Sequence, residues 1–306
     1  MIYLGFDTSN YTTSAAAVGD GFLKNERKIL AVPKGMRGIR QSDAVFTHMK
    51  TLPILYERLA DSIRMPDVAA VGVSTRPRRA EGSYMPVFLA GMGYASVIAK
   101  TLGVPLFEFS HQDGHIMAGI LNSPELLNRD FLSVHLSGGT TEVLKSRYDG
   151  NGFENEIIGG TKDISAGQLI DRVGVQLGLE FPCGRALEDL AAHAKGTFSQ
   201  KVSVSDCYVN FSGAETAFMR NSDTIPPEEL AYAALMHVAD ALCRMLNNAI
   251  KKTGTGDILI VGGVASDAII KEHLRKNVCG TLYFASAELS SDNAVGIAAL
   301  AERKMR

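Results

Sequence analysis

The sequence of 306 residues lacks the features that mark membrane and secreted proteins. Its longest apolar stretch, residues 87–102, is interrupted by Gly, Tyr, Ser and Lys, and falls short of the roughly 18 unbroken apolar residues of a membrane span. The opening segment MIYLGFDTS has neither a basic region nor a small-residue cleavage site. We therefore expect a cytoplasmic protein with no membrane partner.

Cysteine is scarce and dispersed, and no charge of one sign dominates. The four cysteines, Cys183, Cys207, Cys243 and Cys279, form no C-x-x-C pair, which argues against a zinc ribbon or a disulfide framework and predicts reduced, structural thiols. The net charge is −2 although 31 residues are basic, so the chain as a whole has no field that would hold a nucleic acid unaided. Such a substrate would require a local patch or a partner.

Apolar periodicity predicts one order of strands and helices that occurs twice. In the first half it predicts strands over 1–6, 12–18, 22–30, 68–74 and 105–109, and helices over 43–63, 87–102 and 111–121. In the second half it predicts strands over 131–136, 141–147, 153–158, 257–261 and 281–284, and helices over 166–177, 185–194, 226–252, 266–276 and 292–304. A repeat of this kind usually gives two lobes that face a shared crevice, and ligands of α/β sheets bind beyond strand ends.

Two glycine-rich turns are the candidate ligand sites. In the turn 137–141, Ser-Gly-Gly-Thr-Thr, glycines permit close backbone approach and hydroxyls supply donors to a phosphate, although an ordinary hairpin turn uses the same residues. The turn 261–267 follows an apolar strand and opens a helix, so its amides suit an anion or a nucleoside. The alternative is an ordinary strand-to-helix turn with Ser266 or Asp267 as the cap. Together the turns favour a nucleotide-like ligand.

A histidine pair is the candidate metal site. His111 and His115 are four residues apart, hence on one face of a helix and able to hold one ion, although such pairs often lie on the surface. Asp292, at the start of the last predicted helix, would supply a third ligand, or it caps that helix. Gln112 occupies the place where a metallopeptidase H-E-x-x-H motif has its glutamate, so a peptidase is not favoured.

Two further segments carry polar residues that suit either a binding cleft or a solvated surface. Residues 168–171 and 181–188 place polar side chains on predicted helices of the second half. The run 76–79, Arg-Pro-Arg-Arg, is the densest basic cluster and follows a predicted strand, so it could meet a phosphate. A run of charge is more often solvated, and both alternatives stay open here.

These motifs, in this order, resemble the TsaD-type tRNA threonylcarbamoyladenosine synthases, long misnamed O-sialoglycoprotein endopeptidases. The segments that carry the resemblance are GFDTS, the block from EGSYMPVF to SHQDGHI, LSGGTT, QLIDRVGVQLGLEFPCG, NFSGAET, VGGVASD and SSDNAVGIAALA. The resemblance implies the two-lobed actin/Hsp70/sugar-kinase (ASKHA) fold, built from a ribonuclease H-like repeat. It implies lobes over 1–125 plus 286–306 and over 126–285, with a helical insertion at about 160–225.

The resemblance also implies the site residues. The catalytic metal, iron or alternatively zinc, would be held by His111, His115 and Asp292. The adenylate would be held by Leu136, Ser137, Gly138, Gly139, Thr140, Asp171, Gly184, Glu188 and Asp267, with Gly262 and Gly263 in the second glycine turn. The family transfers a threonylcarbamoyl group from threonylcarbamoyl-AMP to N6 of the adenosine 3′ of the anticodon. The metal would act as a Lewis acid and the turn amides would hold the phosphate.

Several positions depart from the family pattern. The run Asn10, Tyr11 and Thr12 replaces Cys-Asp-Glu, Thr140 replaces a histidine, Gln168 a glutamate, Asp267 an asparagine and Glu215 a lysine. The last change reverses a charge, and an added carboxylate near an anionic adenylate weakens binding unless a cation or a proton compensates it. These departures leave open whether the transfer activity is retained.

The sequence therefore leaves three functions open. The first is TsaD-like threonylcarbamoyl transfer to tRNA, with TsaB-like and TsaE-like partners or as a homodimer. The second is a divergent paralogue that binds ATP with Mg²⁺, or another nucleotide, and serves as a regulatory or scaffold subunit. The third is a sugar or acid kinase of the same fold, in which Asp7 would be the catalytic carboxylate, but no sugar-binding segment is recognisable.

Overall fold

The computed structural model describes residues 1–9, 11–31, 39–286, 288–290 and 293–306. The chain forms two compact units. The first contains Met1–Asn128, Arg147–Glu154 and Ser291–Arg306, and the second contains Arg129–Ser146 and Asn155–Ser290. This division places residues 147–154 in the first unit, whereas the sequence-based division placed them in the second lobe.

The first unit contains a five-stranded sheet in the order β3-β2-β1-β4-β5. Its strands are β1 (Ile2–Thr8), β2 (Thr12–Gly19), β3 (Phe22–Ile29), β4 (Val68–Arg76) and β5 (Leu106–Ser110). The first three strands form an antiparallel meander, and β4 and β5 run parallel to β1. Strands β1 and β2 are buried along nearly their whole length, which explains their nearly unbroken run of small and apolar residues.

The second sheet repeats this topology. Its strands are β6 (Phe131–Leu136), β7 (Thr141–Tyr148), β8 (Phe153–Thr161), β9 (Val204–Ser205), β10 (Tyr208–Val209), β11 (Asp257–Val261) and β12 (Thr281–Phe284), in the order β12-β11-β6-β7-β8-β10-β9. Strand β6 pairs antiparallel with β7 and parallel with β11, as β1 does with β2 and β4. The internal repeat predicted from the sequence is therefore present.

The helices pack on these sheets. They are α1 (Gln41–Ala60), α2 (Phe88–Leu102), α3 (His111–Ile120), α4 (Ala166–Gln176), α5 (Gly184–Ala191), α6 (Ser212–Asn221), α7 (Pro227–Thr253), α8 (Ala268–Asn277) and α9 (Val295–Met305). In the first unit α9 lies directly on β1 and β4, where Gly5 and Gly72 allow the close approach. A Cβ atom on Gly5 would lie 2.4 Å from the carbonyl oxygen of Ala294, just before α9. A Cβ atom on Gly72 would lie 2.7 Å from the carbonyl oxygen of Ile297, within α9. Among the described residues no helix is long and apolar enough to span a membrane.

Two large apolar cores fill the units. In the second unit the long helix α7 supplies much of the core. This helix begins directly after Pro226 and ends before Gly254, which has φ 69°. In the first unit the core lies between the sheet and helices α1 and α2. The cysteines are free thiols, and Cys183, Cys207 and Cys243 are buried, as the sequence predicted.

Two predictions of secondary structure were wrong. The segment between α5 and α7, where periodicity predicted neither a strand nor a helix, contains β9, β10 and α6. Asp163 accepts hydrogen bonds from the backbone amides of Phe211 and Ser212 and so fixes the start of α6. The last helix begins at Val295 and not at residue 292, because the Asn293 side chain accepts a hydrogen bond from the Val295 amide and closes a turn before the helix. Asp292 itself lies outside the described residues.

Candidate functional site

Asp7 lies at the carboxyl end of β1, in the centre of the first sheet. Its side chain is 1% exposed, and its Oδ1 atom accepts a hydrogen bond from the Ser74 hydroxyl on the neighbouring strand β4. The same oxygen accepts a hydrogen bond from Nδ1 of His111 at 2.9 Å. Its second oxygen, Oδ2, is buried and has no hydrogen-bond partner within the described chain. The carboxylate is therefore held in place by Ser74 and directed at His111.

The histidine pair lies on one face of α3, as predicted. The Nε2 atoms of His111 and His115 are 3.0 Å apart, and the two rings meet edge to face with their centroids 4.4 Å apart. Because Nδ1 of His111 donates to Asp7, neutral His111 presents the lone pair of Nε2 to His115, which donates its own Nε2 proton. A carboxylate that fixes the tautomer of an imidazole in this way is a frequent companion of metal-binding histidines.

The pair fits half of a metal site. Imidazole nitrogens bind zinc and iron at roughly 2.0–2.1 Å, which brings two ligand atoms to roughly 3 Å from each other. The 3.0 Å between the two Nε2 atoms agrees with this separation. Among the residues that the structure describes, no group of three His, Cys, Asp or Glu side chains could hold an ion. Because Asp292 is outside those residues, the three-ligand site stays a prediction.

The helix that carries the pair is fixed at its N-terminus by a capping box. Ser110 accepts from the Asp113 amide, and the Asp113 carboxylate accepts from the Ser110 amide. The other oxygen of Asp113 accepts from the Phe153 amide at 2.8 Å. Burial raises the pKa of the Asp113 carboxyl, although these hydrogen bonds oppose the shift. The S-x-x-D spacing of Ser110 and Asp113 is the sequence signal for this cap.

A second buried histidine lies in the first unit and was missed. His48, on α1, is fully buried, and its Nδ1 atom is 2.8 Å from the Thr13 hydroxyl on β2. Burial lowers the pKa of its imidazole, while the Ser9 carbonyl and the Asp7 carboxylate oppose the shift. Its spacing from Ala44, Leu52 and Leu55, which are all buried, was the available signal that it faces the core.

The basic cluster 76–79 lies beside α3. The backbone amide of Gln112 donates to the Pro77 carbonyl at 3.0 Å, which connects the cluster to the first turn of the helix. Arg79 forms an ion pair with Asp149 at 2.7 Å. Part of the cluster therefore has a structural use, and the prediction that it meets a phosphate stays untested.

In the second unit, the first glycine turn joins β6 to β7. Its residues Leu136, Ser137, Gly138, Gly139 and Thr140 form a closed hairpin turn in which the amide of Ser137 donates to the carbonyl of Thr140 at 2.9 Å. The Ser137 hydroxyl accepts from the Thr140 amide, and the Ser165 hydroxyl donates to the Gly138 carbonyl at 2.8 Å. The ordinary hairpin geometry is therefore present, and both glycines are exposed at its tip.

The second glycine turn lies at the same edge of the sheet. Gly262 has φ 104°, and a Cβ atom there would lie 2.1 Å from the Leu136 carbonyl oxygen, so only glycine fits. Because β6 and β11 are parallel neighbours, both turns follow carboxyl ends of strands. Gly263 begins a short 3₁₀ turn, after which Asp267 caps α8 by accepting from the Ile270 amide at 2.9 Å. The structure thus brings the two predicted turns together.

Three of the predicted carboxylates, Asp171, Glu188 and Asp267, lie in the same unit as these turns. Asp267 is buried, and burial raises its pKa to about 6, with the nearby Glu188 carboxylate adding to the shift. Glu188 itself accepts from the Ala268 amide at 2.8 Å, so α5 meets the start of α8. Asp171, on α4, accepts from the Cys183 amide at 2.8 Å, directly before Gly184 begins α5. Burial raises the pKa of Asp171 as well.

The structure accounts for two of the departures from the family pattern. The charge of Glu215 is compensated by Arg172, whose Nη1 atom is 3.0 and 2.9 Å from the two carboxylate oxygens. Gln168 completes a capping box at the start of α4, because its side chain accepts from the Ser165 amide. No sequence signal points to Arg172, since only the fold brings α4 and α6 together. Asn10 lies outside the described residues.

The strand order of both sheets and the polar clusters at their strand ends define the class: an α/β protein of the fold that sugar kinases share. HypF from T. kodakarensis superposes with a TM-score of 0.65 at 14% identity over 98% of this chain, which spans about half (47%) of HypF. A ROK family glucokinase from Streptomyces griseus, in complex with glucose and AMPPNP, superposes with a TM-score of 0.56 at 12% identity over 99% of this chain and 100% of the glucokinase. These similarities establish the fold alone.

Residues 17–299 match the family TsaD, described as tRNA N6-adenosine threonylcarbamoyltransferase. The chain belongs to this family. A relative of that name from Thermosipho africanus (strain TCF52B) is 28% identical over 289 residues, 90% of this chain and 85% of the relative. Another from Streptococcus pneumoniae (strain P1031) is 28% identical over 316 residues, 96% of this chain and 90% of the relative. The resemblance and the fold class predicted from the motifs are both confirmed.

Proposed function

We propose that this chain is a tRNA N6-adenosine threonylcarbamoyltransferase that acts on the adenosine 3′ of the anticodon. The observation that carries the proposal is the arrangement of Asp7, His111 and His115 in a chain of the TsaD family. None of the departures from the family pattern replaces Asp7, His111 or His115. A scaffold subunit would have no need of two imidazoles whose Nε2 atoms meet at 3.0 Å under a buried carboxylate.

In the proposed reaction, N6 of the adenosine attacks the carbamoyl carbon of threonylcarbamoyl-AMP. The new C–N bond forms, the bond from that carbon to the phosphate oxygen breaks, and AMP leaves with the electron pair. The proton that N6 loses passes to the departing phosphate or to water. An iron or zinc ion held by His111, His115 and Asp292 would supply a Lewis acid for the acyl donor. Asp7 holds the tautomer of His111 that presents Nε2, and so acts as a positioning residue.

The adenylate is assigned to the second unit. The turn from Leu136 to Thr140, which is exposed at Gly138 and Gly139, and the turn at Gly262 and Gly263 offer backbone amides at strand ends, where anions bind α/β sheets. Asp171, Gly184, Glu188 and Asp267 lie around the starts of α5 and α8. The Arg172–Glu215 pair removes the repulsion that an unpaired Glu215 would exert on the ligand, although both side chains are partly solvated and the effect is correspondingly small.

Partner proteins and tRNA belong to the proposal as well. The chain has a net charge of −2, so tRNA would be held with TsaB-like and TsaE-like partners or by a homodimer. Exposed apolar side chains on α1, Phe46, Met49 and Ile54, support a protein contact on that helix. A cytoplasmic location is consistent with these partners.

The test is threonylcarbamoyl transfer to unmodified tRNA by the purified chain with its partners, with the modified nucleoside detected by mass spectrometry. The His111→Ala variant should lose the product while keeping its fold. The matched control is His193→Ala, because His193 is exposed and lies after α5, outside the proposed site. Full activity of the His111 variant would contradict the proposal.

A second candidate is a nucleotide-binding paralogue with a regulatory or scaffold role. The observation that favours it is Asp267, a buried carboxylate of raised pKa in a position where the family has a neutral amide. Such a subunit would bind ATP with Mg²⁺ or another nucleotide. It would support growth of a deletion strain when His111 is replaced by alanine, whereas the transferase would not.

A further inference from the structure

Helix α8 carries two cationic side chains that lie over one aromatic ring. The Nζ atom of Lys271 is 5.5 Å from the centroid of the Phe284 ring, and the Cζ atom of Arg275 is 5.2 Å from it. Lys271 and Arg275 are four residues apart, hence on one face of the helix, and Phe284 ends strand β12. The ring attracts both cations through its negative face and so holds them near each other.

The charges of this pair are not neutralised by the protein. Within the part of the chain that the structure describes, neither Lys271 nor Arg275 forms an ion pair. The other charged side chains beside them on α8 have partners. Glu272 pairs with Lys276 at 2.6 Å, and Nε2 of His273 lies 2.7 Å from a carboxylate oxygen on α7. Because like charges four residues apart on a helix repel each other, an anion bound by both cations would stabilise the arrangement.

The pair lies at the edge of the second sheet, next to the proposed adenylate site but outside it. Strand β12 is the outermost strand, and β11 separates it from β6 and from the first glycine turn. Phe284 pairs in register with Ile260, so its ring is near the carboxyl ends of the strands. Lys271 is close enough to Asp267 for its charge to oppose the rise of the pKa of that carboxyl. The two cations are therefore beside the second glycine turn, on the side away from the first.

We propose that Lys271 and Arg275 bind the phosphate backbone of the RNA acceptor. The inference rests on the proposed function, which requires tRNA to bind a chain whose net charge is −2 and so needs a local positive patch. A guanidinium that stacks on an aromatic ring keeps its N–H edge free, and that edge matches the oxygens of a phosphate. Because the ring is engaged with the cations, the contact should position the RNA without reading its sequence.

The test is the salt dependence of RNA binding. Binding of an unmodified tRNA transcript is measured over a series of KCl concentrations for the unsubstituted chain, Lys271→Gln, Arg275→Gln and the double variant. Each single substitution should weaken binding roughly 2- to 5-fold at the lowest salt and reduce the slope of log K against log salt by roughly 0.7–0.9. A transcript with another anticodon-loop sequence should show the same loss. The matched control is Lys276→Gln, which changes the net charge equally on the same helix but removes a cation already paired with Glu272.

Urea unfolding shows whether each variant is folded, and each binding outcome then decides a separate point. A folded double variant that binds RNA as the Lys276 control does overturns the proposal, even if that variant has lost affinity for an acidic protein. A loss confined to one RNA sequence, or a fall in AMP affinity beyond that of the control, also overturns it, since the cations would then read bases or hold the adenylate. So does absence of RNA binding by the unsubstituted chain at the lowest salt. The expected loss of RNA binding, in a chain that transfers no threonylcarbamoyl group with its partners, supports the patch and overturns the transferase assignment alone.

Discussion

Replacing Asp7 by asparagine tests whether this carboxylate prepares His111 for a metal ion. The substitution keeps the shape of the side chain, so the buried site at the end of β1 stays filled. It removes the charge that receives the Nδ1 proton of His111, and the amide can present either an oxygen or an NH₂ group to the ring. The imidazole then loses its preference for the tautomer with a free Nε2 lone pair.

The expected magnitude follows from this one contact. A hydrogen bond to a charged group contributes about 1.5–3 kcal/mol, and about 1.4 kcal/mol corresponds to a tenfold change in affinity. Loss of an outer carboxylate from a metal-bound histidine typically weakens metal binding about 10- to 100-fold. Both routes agree, so we expect the Asp7→Asn variant to bind Fe²⁺ or Zn²⁺ about 10- to 100-fold more weakly.

The assay is anaerobic titration of the metal-free chain with Fe²⁺ or Zn²⁺ against a competing chelator, which needs no catalytic turnover. Urea unfolding of the same samples shows whether the variant is folded. Asp20→Asn is the matched control, since Asp20 lies in an exposed turn between β2 and β3. A folded Asp7→Asn variant whose metal affinity equals that of the unsubstituted chain would refute the assigned role.

Three further outcomes are expected. Gly262→Ala should lower the free energy of unfolding by more than about 1–3 kcal/mol, because φ is 104° and the new Cβ would clash with the Leu136 carbonyl. Gly263→Ala is the control, since its Cβ would lie in open space and should have little effect; urea unfolding measures both variants. The AMP phosphate takes up a proton near pH 6 in every sample, so the difference in AMP affinity between Asp267→Asn and the unsubstituted chain reports on this residue alone. That difference should shrink as the pH falls through about 6, where the Asp267 carboxylate takes up a proton; calorimetry from pH 7.5 to 5.5 measures it, and a constant difference would count against the placement of this residue. Burial lowers the pKa of His237 below the usual 6.5, so as the pH falls the unfolded chain takes up this proton before the folded chain does, and stability is lost below pH 6.5. The difference in the free energy of unfolding between the unsubstituted chain and a His237→Phe variant should therefore shrink from pH 7.5 to 5.5. A constant difference would contradict this account.

The sequence predicted the fold well because its patterns are local. Strand β6 and strand β11 were placed at the bounds that the structure has, since each is a short apolar run between turn residues. The pairing of His111 with His115 follows from helical spacing alone. The repeat was visible because the two halves place similar strand-turn-strand segments at corresponding positions.

The parts that could not be predicted depend on contacts between segments distant in the chain. Helix α6 starts where Asp163, some way before it in sequence, binds its first amides. The compensation of Glu215 by Arg172 arises only when α4 and α6 pack together. The role of Asp7 as the support of His111 also joins two strands and a helix. No pattern of residue spacing in the sequence predicts contacts between such distant segments.

Helix α9 packs closely on β1 and β4 at Gly5 and Gly72, and this packing affects the order in which the first unit can fold during synthesis. The strands of the first sheet are translated before the second unit, whereas the helix that covers them is translated after it. During synthesis, the face of that sheet on which α9 packs therefore stays uncovered until the second unit has been translated. A nascent chain in this state exposes an apolar surface of the kind that chaperones recognise, and α9 covers it once that helix has been translated.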